Sequence, residues 1–405
     1  MNGKTEMSNN KIPVKIKTKL RRFASALAEI LAYSQVAPES SLRWTIIANP
    51  GAGGFTIGSR WKNHEKALAE NLEKARKNHP RKDAAPSLYS QSGGDDLNHP
   101  DLNHSDSLGK FGLIATAETG HAMKITRGVI DEMSAEKTDG KNKPFHLFIT
   151  AGGDGTSLEV LQILYHAPAA LRNRCVILRL PLGTGNDGAE AWELEDALEL
   201  LIKPVRVHMN RGLRLTTATK KTWANGDPFL AFNILSLGLD AFVTHMTNKM
   251  KGKLPGDSYK LWVDISSLLY DRIFKVRHVE VTGYDKAGKE IYRFREKILL
   301  CAMGASGRRS YGSHKMILPD DRNVCAIKQM PLFRKFALKG LFSSGGHINK
   351  PESILFSAER IVISGVYPVL AQMDGETVRL EKPDFPAAIE LTEAVIPVLR
   401  LQSPL

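Results

Sequence analysis

Residues 145–160 read FHLFITAGGDGTSLEV. The run 145–150 is apolar, partly aromatic and branched, which predicts a buried strand, and the glycines behind it break that strand at once. Helical spacing then resumes. Gly152, Gly153 and Gly155 carry no Cβ, so the backbone can turn tightly and bring N–H groups against an anionic ligand at the start of the next helix. Asp154 stands in the same turn, where a carboxylate can hold Mg²⁺ directly or through water while amides hold phosphate oxygens. Thr156 can cap the helix or bond a phosphate. A plain strand-to-helix turn, with Asp154 and Thr156 in Asx or capping roles, uses the same residues.

Working outward, residues 43–48 (RWTIIA) form a second apolar strand, followed by the loop Asn49-Pro50-Gly51-Ala52-Gly53-Gly54 and a helix over about 59–77. Gly53 and Gly58 have the spacing of Walker A glycines, but Ser59-Arg60 replaces the required Lys-Ser/Thr, so this is no P-loop. A strand over 111–117 leads through Glu118-Thr119-Gly120-His121-Ala122 into an amphipathic helix ending near Met133, with His121 read as a helix-start residue. A fourth strand, 175–180, runs into Leu180-Pro181-Leu182-Gly183-Thr184-Gly185-Asn186-Asp187. Four strands separated by helical stretches imply a parallel, doubly wound sheet. Ligands of such sheets bind beyond the carboxyl ends of the strands, the edge where the loops at Asn49, Thr116, Gly152 and Gly183 belong.

After a helix near 193–201 the texture changes. Short alternating apolar runs at 229–237, 276–284, 292–303, 324–329 and 357–366, with helical inserts over 243–250 and 259–273, predict a β-rich second domain. The expected fold class is therefore α/β: a doubly wound parallel-sheet nucleotide-binding domain followed by a β-rich, sandwich-like second domain. The expected layout is a basic amphipathic extension at 1–41, the nucleotide-binding domain at 42–204, the β-rich domain at 205–370 and a final segment at 371–405.

Composition narrows the partners. The 405 residues are 42% apolar, enough for two filled cores and tails. No run reaches the length of a spanning helix, and Glu29 interrupts the one stretch resembling a secretory leader, so a cytoplasmic protein is expected. Cys175, Cys301 and Cys325 lie far apart in apolar runs, as buried free thiols of a reducing compartment do. The net charge of +13 favours an acidic partner. With no zinc-finger, ribonucleoprotein or bZIP pattern, an anionic membrane surface ranks above nucleic acid, and no nucleic acid is expected.

Three further stretches stand out. Leu20, Phe23, Leu27 and Leu31 repeat at helical spacing behind Lys15, Lys17, Lys19, Arg21 and Arg22, which suits a membrane-surface helix or one packed on the first domain. Residues 78–110 shift to Ser, Asp, Asn, His, Gly and Pro, with the tandem Asp96-Leu97-Asn98-His99 and Asp101-Leu102-Asn103-His104, and read as a flexible insertion. Leu332, Phe333, Phe336, Leu341 and Phe342, interleaved with Arg334, Lys335 and Lys339, suit either a bilayer or a core.

GGDGT followed by LPLGTGND resembles the catalytic domain of the diacylglycerol kinase family, which includes the sphingosine kinases. NAD kinases and phosphofructokinases share the GGDG turn without the second motif in this form. The resemblance covers roughly 43–385 and implies an ATP-dependent lipid kinase at the cytosolic membrane surface, taking a lipid alcohol such as diacylglycerol or a sphingoid base. It implies that ATP lies over Asn49, Pro50, Gly51, Gly53 and Gly54, with Thr116 in the pocket. Gly152, Gly153, Asp154, Gly155, Thr156, Gly183, Thr184, Asn186 and Asp187 would meet its phosphates, and Asp154 would hold Mg²⁺.

Gln372-Met373-Asp374-Gly375-Glu376 is similar to the family's DGE triplet, which makes Asp374 the general base on the lipid hydroxyl and Glu376 its support, presented to ATP across a two-domain cleft. Read from the residues alone, carboxylates so spaced can share a network that tunes one of them, and Asp-Gly is also a common hairpin turn. Asp240 would be catalytic support or a helix cap, and Tyr259 matches as well. Leu158 stands where the family has Asn, Glu190 where it has Arg, and Met303-Gly304 with Tyr311-Gly312-Ser313 where it has a glycine run. Pro319-Asp320-Asp321-Arg322 is similar to an acidic turn that binds a structural Mg²⁺ in some members, but its downstream acidic partner falls on Cys325. A soluble NAD-kinase-like enzyme and a catalytically inactive nucleotide- or lipid-binding protein are the alternatives.

Overall fold

The computed structural model describes residues 12–38, 40–82, 84–86, 108–136, 143–183, 186–224, 226–250, 270–274, 276–311, 315–365 and 368–402. Thr184 and Gly185, the DLNH tandem, Tyr259 with most of the 259–273 insert, and Gly312-Ser313 lie outside the described residues. The chain divides into two compact units, Met1–His208 with Ile396–Leu405, and Met209–Val395.

The first unit is built on a sheet of order Ala84–Pro86, Leu42–Ala48, Phe145–Gly152, Cys175–Pro181, Ile396–Leu401, Val205–Asn210, with Leu113–Ala115 also on Leu42–Ala48. Leu42–Ala48 pairs in parallel with Phe145–Gly152, and that strand in parallel with Cys175–Pro181. These strands are almost wholly buried, because helices cover both faces, and this is why they read as unbroken apolar runs. Ala84–Pro86 pairs with Leu42–Trp44, and Leu113–Ala115 with Ile46–Ala48, so two short strands share one edge end to end. The first of them lies where the sequence suggested only a flexible insertion. The final strand, Ile396–Leu401, returns from the end of the chain to pair with Cys175–Pro181.

The helix Val14–Leu31 settles its two readings by packing. Leu20, Phe23, Leu27, Ile30 and Leu31 are fully buried in the same core as Trp44, Ile46 and Ile149. Its apolar face is therefore spent on the fold, while Lys15, Arg21 and Arg22 remain exposed. Lys19 turns inward, donating from Nζ to the Phe55 carbonyl at 2.5 Å and lying 5.6 Å from the Trp61 ring centre.

The second unit is an antiparallel sheet that curls around a core of its own. Its order is Glu376–Leu380, Val369–Met373, Ile234–Gly238, Glu290–Gly304, His278–Tyr284, Arg360–Ser364, Ala387–Leu391, Leu213–Thr216, Phe229–Ala231, with Val324–Lys328 and Ser353–Phe356 branching from Glu290–Gly304. Leu380 and Val369 from one end of that order share a core with Leu213 and Phe229 from the other. Side chains alternate across a strand. Leu235, Leu237, Cys301 and Met303 accordingly enter this core, while Ile234, Leu300, Ala302, Cys325 and Ile327 enter a second one on the opposite face. All three cysteines are free and buried; burial pushes the Cys175 and Cys301 thiols up to about 12, which leaves them inert near neutral pH. Among the described residues no helix is long and apolar enough to cross a membrane.

Candidate active site

In the first unit three turns meet at the carboxyl ends of adjacent parallel strands. The Asn49 N–H donates to the Ala151 carbonyl at 3.0 Å, and the Asn49 side chain accepts the Gly51 N–H at 2.9 Å, which shapes the loop around its own asparagine. The Gly54 N–H reaches the Leu182 carbonyl at 2.8 Å, joining that loop to the turn after Cys175–Pro181. Arg60 adds a second tie, its guanidinium donating to the Gly183 carbonyl at 3.3 Å. The Gly183 N–H donates to Asn186 Oδ1 at 2.7 Å, and Asn186 Nδ2 returns a bond to the Gly183 carbonyl at 3.1 Å. Asn186 holds a left-handed backbone, φ 56°, a conformation that asparagine tolerates better than most residues.

Gly183 is a residue whose missing Cβ decides the geometry. A Cβ there would fall 2.5 Å from the Cα of Gly153, so the two glycine turns approach backbone to backbone. Asp154 opens the helix Asp154–His166, and its Oδ1 accepts the Gly188 N–H at 3.3 Å. It thereby spans from one turn to the end of the other, next to buried Asp187. Thr156 is buried in the first turn of that helix and Gly155 is half-buried. Pro50 and Gly53 are half-buried and Gly51 exposed along the rim of the first loop.

Thr116 follows Leu113–Ala115 and donates its N–H to the Ala48 carbonyl at 2.7 Å. The next residues are held by two side chains. His121 Nδ1 accepts the Ala117 N–H at 2.9 Å, the helix-start role expected of it. Glu159, on a different helix, accepts the Gly120 and Ala122 N–H groups at 2.7 and 3.0 Å. It caps the helix His121–Ala135 from outside; burial raises its carboxyl, and the Gly120, Ala122 and Met123 amides partly offset this. The sequence carries no local signal for this bond between helices. Leu158 faces inward, 4% exposed, so its apolar side chain suits the place it occupies.

Glu190 also has a structural account. Arg179, within Cys175–Pro181, donates to Glu190 Oε1 from Nη2 at 2.8 Å and Nε at 3.0 Å, and its backbone N–H donates to Oε2 at 2.8 Å. The side chains are 7% and 6% exposed. The acid thus ties the chain beyond Asp187 back to the strand that precedes the turn. His64, one helical turn from Arg60, is brought down to about 4 by burial and by the Arg60 charge, so a neutral imidazole sits beside the cation.

In the second unit, Met373 pairs with Glu376 across the hairpin, leaving Asp374-Gly375 as its two-residue turn. Their φ values, 44° and 102°, belong to the primed turns that match strand twist. The Asp374 carboxylate is buried and accepts three successive backbone N–H groups: Phe232, Asn233 at 3.1 Å and Ile234 at 2.9 Å. Gln372, which sequence reading passed over, bridges outward. Its amide donates to Ser236 Oγ at 3.0 Å and Asp240 Oδ2 at 3.3 Å, and its carbonyl accepts the Gly375 N–H at 3.2 Å. Asp240, in the first turn of the helix Leu239–Met250, also accepts the Ser236 hydroxyl at 2.6 Å. Glu376 is exposed at the start of its strand. Asp320 is engaged by Arg322, which holds its carboxyl below the usual range, and Asp321 pairs with Arg308 at 2.7 Å. Among the described residues no group of three or more His, Cys, Asp or Glu side chains could hold a metal ion.

Residues 99–217 match the model of the diacylglycerol kinase catalytic domain, a span that contains Thr116 and both glycine turns. No curated protein matches the chain. Among solved structures it is similar to "a putative diacylglycerol kinase from Bacillus anthracis str. Sterne", with a TM-score of 0.51 and 18% identity over 89% of this chain and 96% of that one. A second structure from that organism, described in the same words, gives 0.49 and 18% over the same shares. A yeast NADH kinase complexed with NADH gives 0.38 and 12% over 90% and 84%. The first of these likenesses is one of fold. The domain match covers the segment that carries Thr116 and both glycine turns.

Proposed function

We propose that the protein transfers the γ-phosphate of ATP to the hydroxyl of a lipid alcohol, diacylglycerol or a sphingoid-type acceptor. The observation that carries this reading is the backbone contact of Gly153 with Gly183 inside the matched span. Two turns that close leave amides and polar side chains along one strand edge, the arrangement a polyphosphate needs.

ATP would lie along the loop Asn49, Pro50, Gly51, Gly53 and Gly54, beside Thr116. Its phosphates would meet Gly152, Gly153, Gly155, Thr156, Gly183, Thr184 and Asn186. Mg²⁺, when bound, would neutralise phosphate charge; Asp154, tied to Gly188 beside Asp187, supplies the hard oxygen donors that this ion prefers. Phosphoryl transfer asks little covalent chemistry of the protein, so positioning and charge neutralisation carry most of the rate.

On the acceptor side Asp374 would take the hydroxyl proton, with Glu376 in support. The three backbone donors fix the direction of its carboxylate. They also favour a second role, in which Asp374 pins residues 232–234 and a different group serves as the base that takes the proton. The basic chain would work in the cytoplasm as a peripheral protein of an anionic membrane surface. Residues 42–204 would hold the nucleotide and 205–370 the lipid.

The test is phosphate transfer from labelled ATP into a mixed lipid extract, read by mass spectrometry, with Asp374→Asn alongside. Lipid phosphorylation abolished in a folded Asn variant supports the base assignment. Robust turnover by that variant removes Asp374 as base, and NAD phosphorylation without lipid labelling replaces the lipid reading by a soluble-kinase one.

A further inference from the structure

Phe333 and Phe336 stand out of the second unit, 86% and 55% exposed, on the helix Leu332–Ser344. Residues three apart share a helical face. The opposite face anchors the helix: Lys335 and Leu338 are buried, and Phe342 stacks on His347 with ring centres 4.2 Å apart. Leu341 and Phe342, which the sequence pattern suited to either a bilayer or a core, are half-buried. The fold therefore has no use for the two outward rings, which keep a large apolar area in water.

Beside this helix opens a cavity of about 750 Å³ whose wall carries Lys297, Lys328 and Lys335. Lys328 pairs with Glu296 at 3.2 Å, and Lys335 with Asp271. Lys297 is exposed and, among the described residues, has no acidic side chain within ion-pair distance. Arg334, between the two phenylalanines, is also partly exposed, paired with Glu352. Outward aromatic rings bordered by cations match one surface in particular, the interface of a bilayer containing anionic phospholipid.

We propose that this face of the second unit docks on such a bilayer, Phe333 and Phe336 entering the acyl boundary while Lys297 meets lipid phosphate at the mouth of the cavity. The proposal builds on the lipid-acceptor reading by naming the surface that brings the protein to its substrate. It also relieves the helix Val14–Leu31 of that task.

The test is sedimentation of the full chain with phosphatidylcholine vesicles, with and without about 30 mol% phosphatidylglycerol. The wild-type chain is expected to bind the anionic vesicles, and about 0.5 M salt to weaken this binding. Phe333→Ser with Phe336→Ser should lower partitioning by about tenfold or more, and Lys297→Glu by roughly fivefold at low salt only. Both rings are exposed, so the double variant should keep the wild-type thermal midpoint. Partitioning of that variant equal to wild type, or failure of the wild-type chain to bind anionic vesicles, overturns the proposal. Binding is read without ATP, so it stands or falls apart from turnover. Phe-dependent docking without phosphorylation of any lipid would refute the kinase reading and leave the docking face in place.

Discussion

Replacing Glu190 by Ala removes the partner of a guanidinium that is 7% exposed and frees a backbone N–H on a central strand. Breaking a buried ion pair from one side costs about 3–5 kcal/mol, because the remaining charge stays buried without compensation. With a urea slope of about 3 kcal/mol per M, the midpoint of the first unit should fall by more than about 1 M. Trp44 and Trp61 are buried in that unit and Trp192 is exposed, so a fluorescence transition reports on it. The double change Arg179→Met with Glu190→Leu should recover most of the loss, since apolar residues of similar volume replace buried pairs at little cost. The pair also ties down the chain just after Asn186 and Asp187, so Glu190→Ala should weaken nucleotide retention and the double variant should restore it. An Ala variant within about 0.5 kcal/mol of wild type, or a double variant as unstable as the single one, would refute this account of Glu190.

Gly183→Ala should abolish nucleotide-dependent stabilisation while leaving most of the thermal midpoint in place, because its Cβ would press on the Gly153 Cα and separate the turns; an unchanged ATP-induced shift in midpoint would contradict it. Arg60→Ala should raise the KM for ATP several-fold with a smaller change in kcat, since it loosens the tie to Gly183 without touching the acceptor; equal losses in both would mean a different role. Burial, with Arg43 and Arg174 nearby, brings His146 down to about 3, and burial with Arg60 brings His64 to about 4. The unfolded chain therefore takes up protons below about pH 6.5 that the folded chain refuses, so stability is complete above that pH and is lost as pH falls through and below it. His146 should contribute about 1.4 kcal/mol per pH unit in that window, and the partly solvated His64 less. His146→Gln should flatten the dependence of the urea midpoint between about pH 7 and 5; the same slope in variant and wild type would rule the histidine out.

The parallel strands were legible because burial on both faces leaves an apolar run, and the turns because phosphate-type loops need glycine. Where the sequence suggested one strand over 229–237, the structure has Phe229–Ala231 and Ile234–Gly238. The break falls where the Phe232 and Asn233 N–H groups turn to the Asp374 carboxylate, some 140 residues along the chain. A strand expected over 111–117 is shortened to Leu113–Ala115 by the turn Gly109–Phe111, whose Phe111 carbonyl accepts the Trp44 indole N–H at 3.0 Å. Neither interaction has a local signature.

Local pattern alone determined that an α/β half with two glycine turns precedes a β-rich half, since periodicity and backbone freedom are properties of neighbouring residues. Packing alone decided the rest. It buried the face of Val14–Leu31 that could have met a lipid, and it carried Ile396–Leu401 back to the first sheet. It also paired Glu190 with Arg179, set Glu159 over another helix, and left Phe333 and Phe336 in solvent. Burial and pairing between residues distant in the chain depend on which surfaces meet, and hydrophobic periodicity is the same whichever partner covers it.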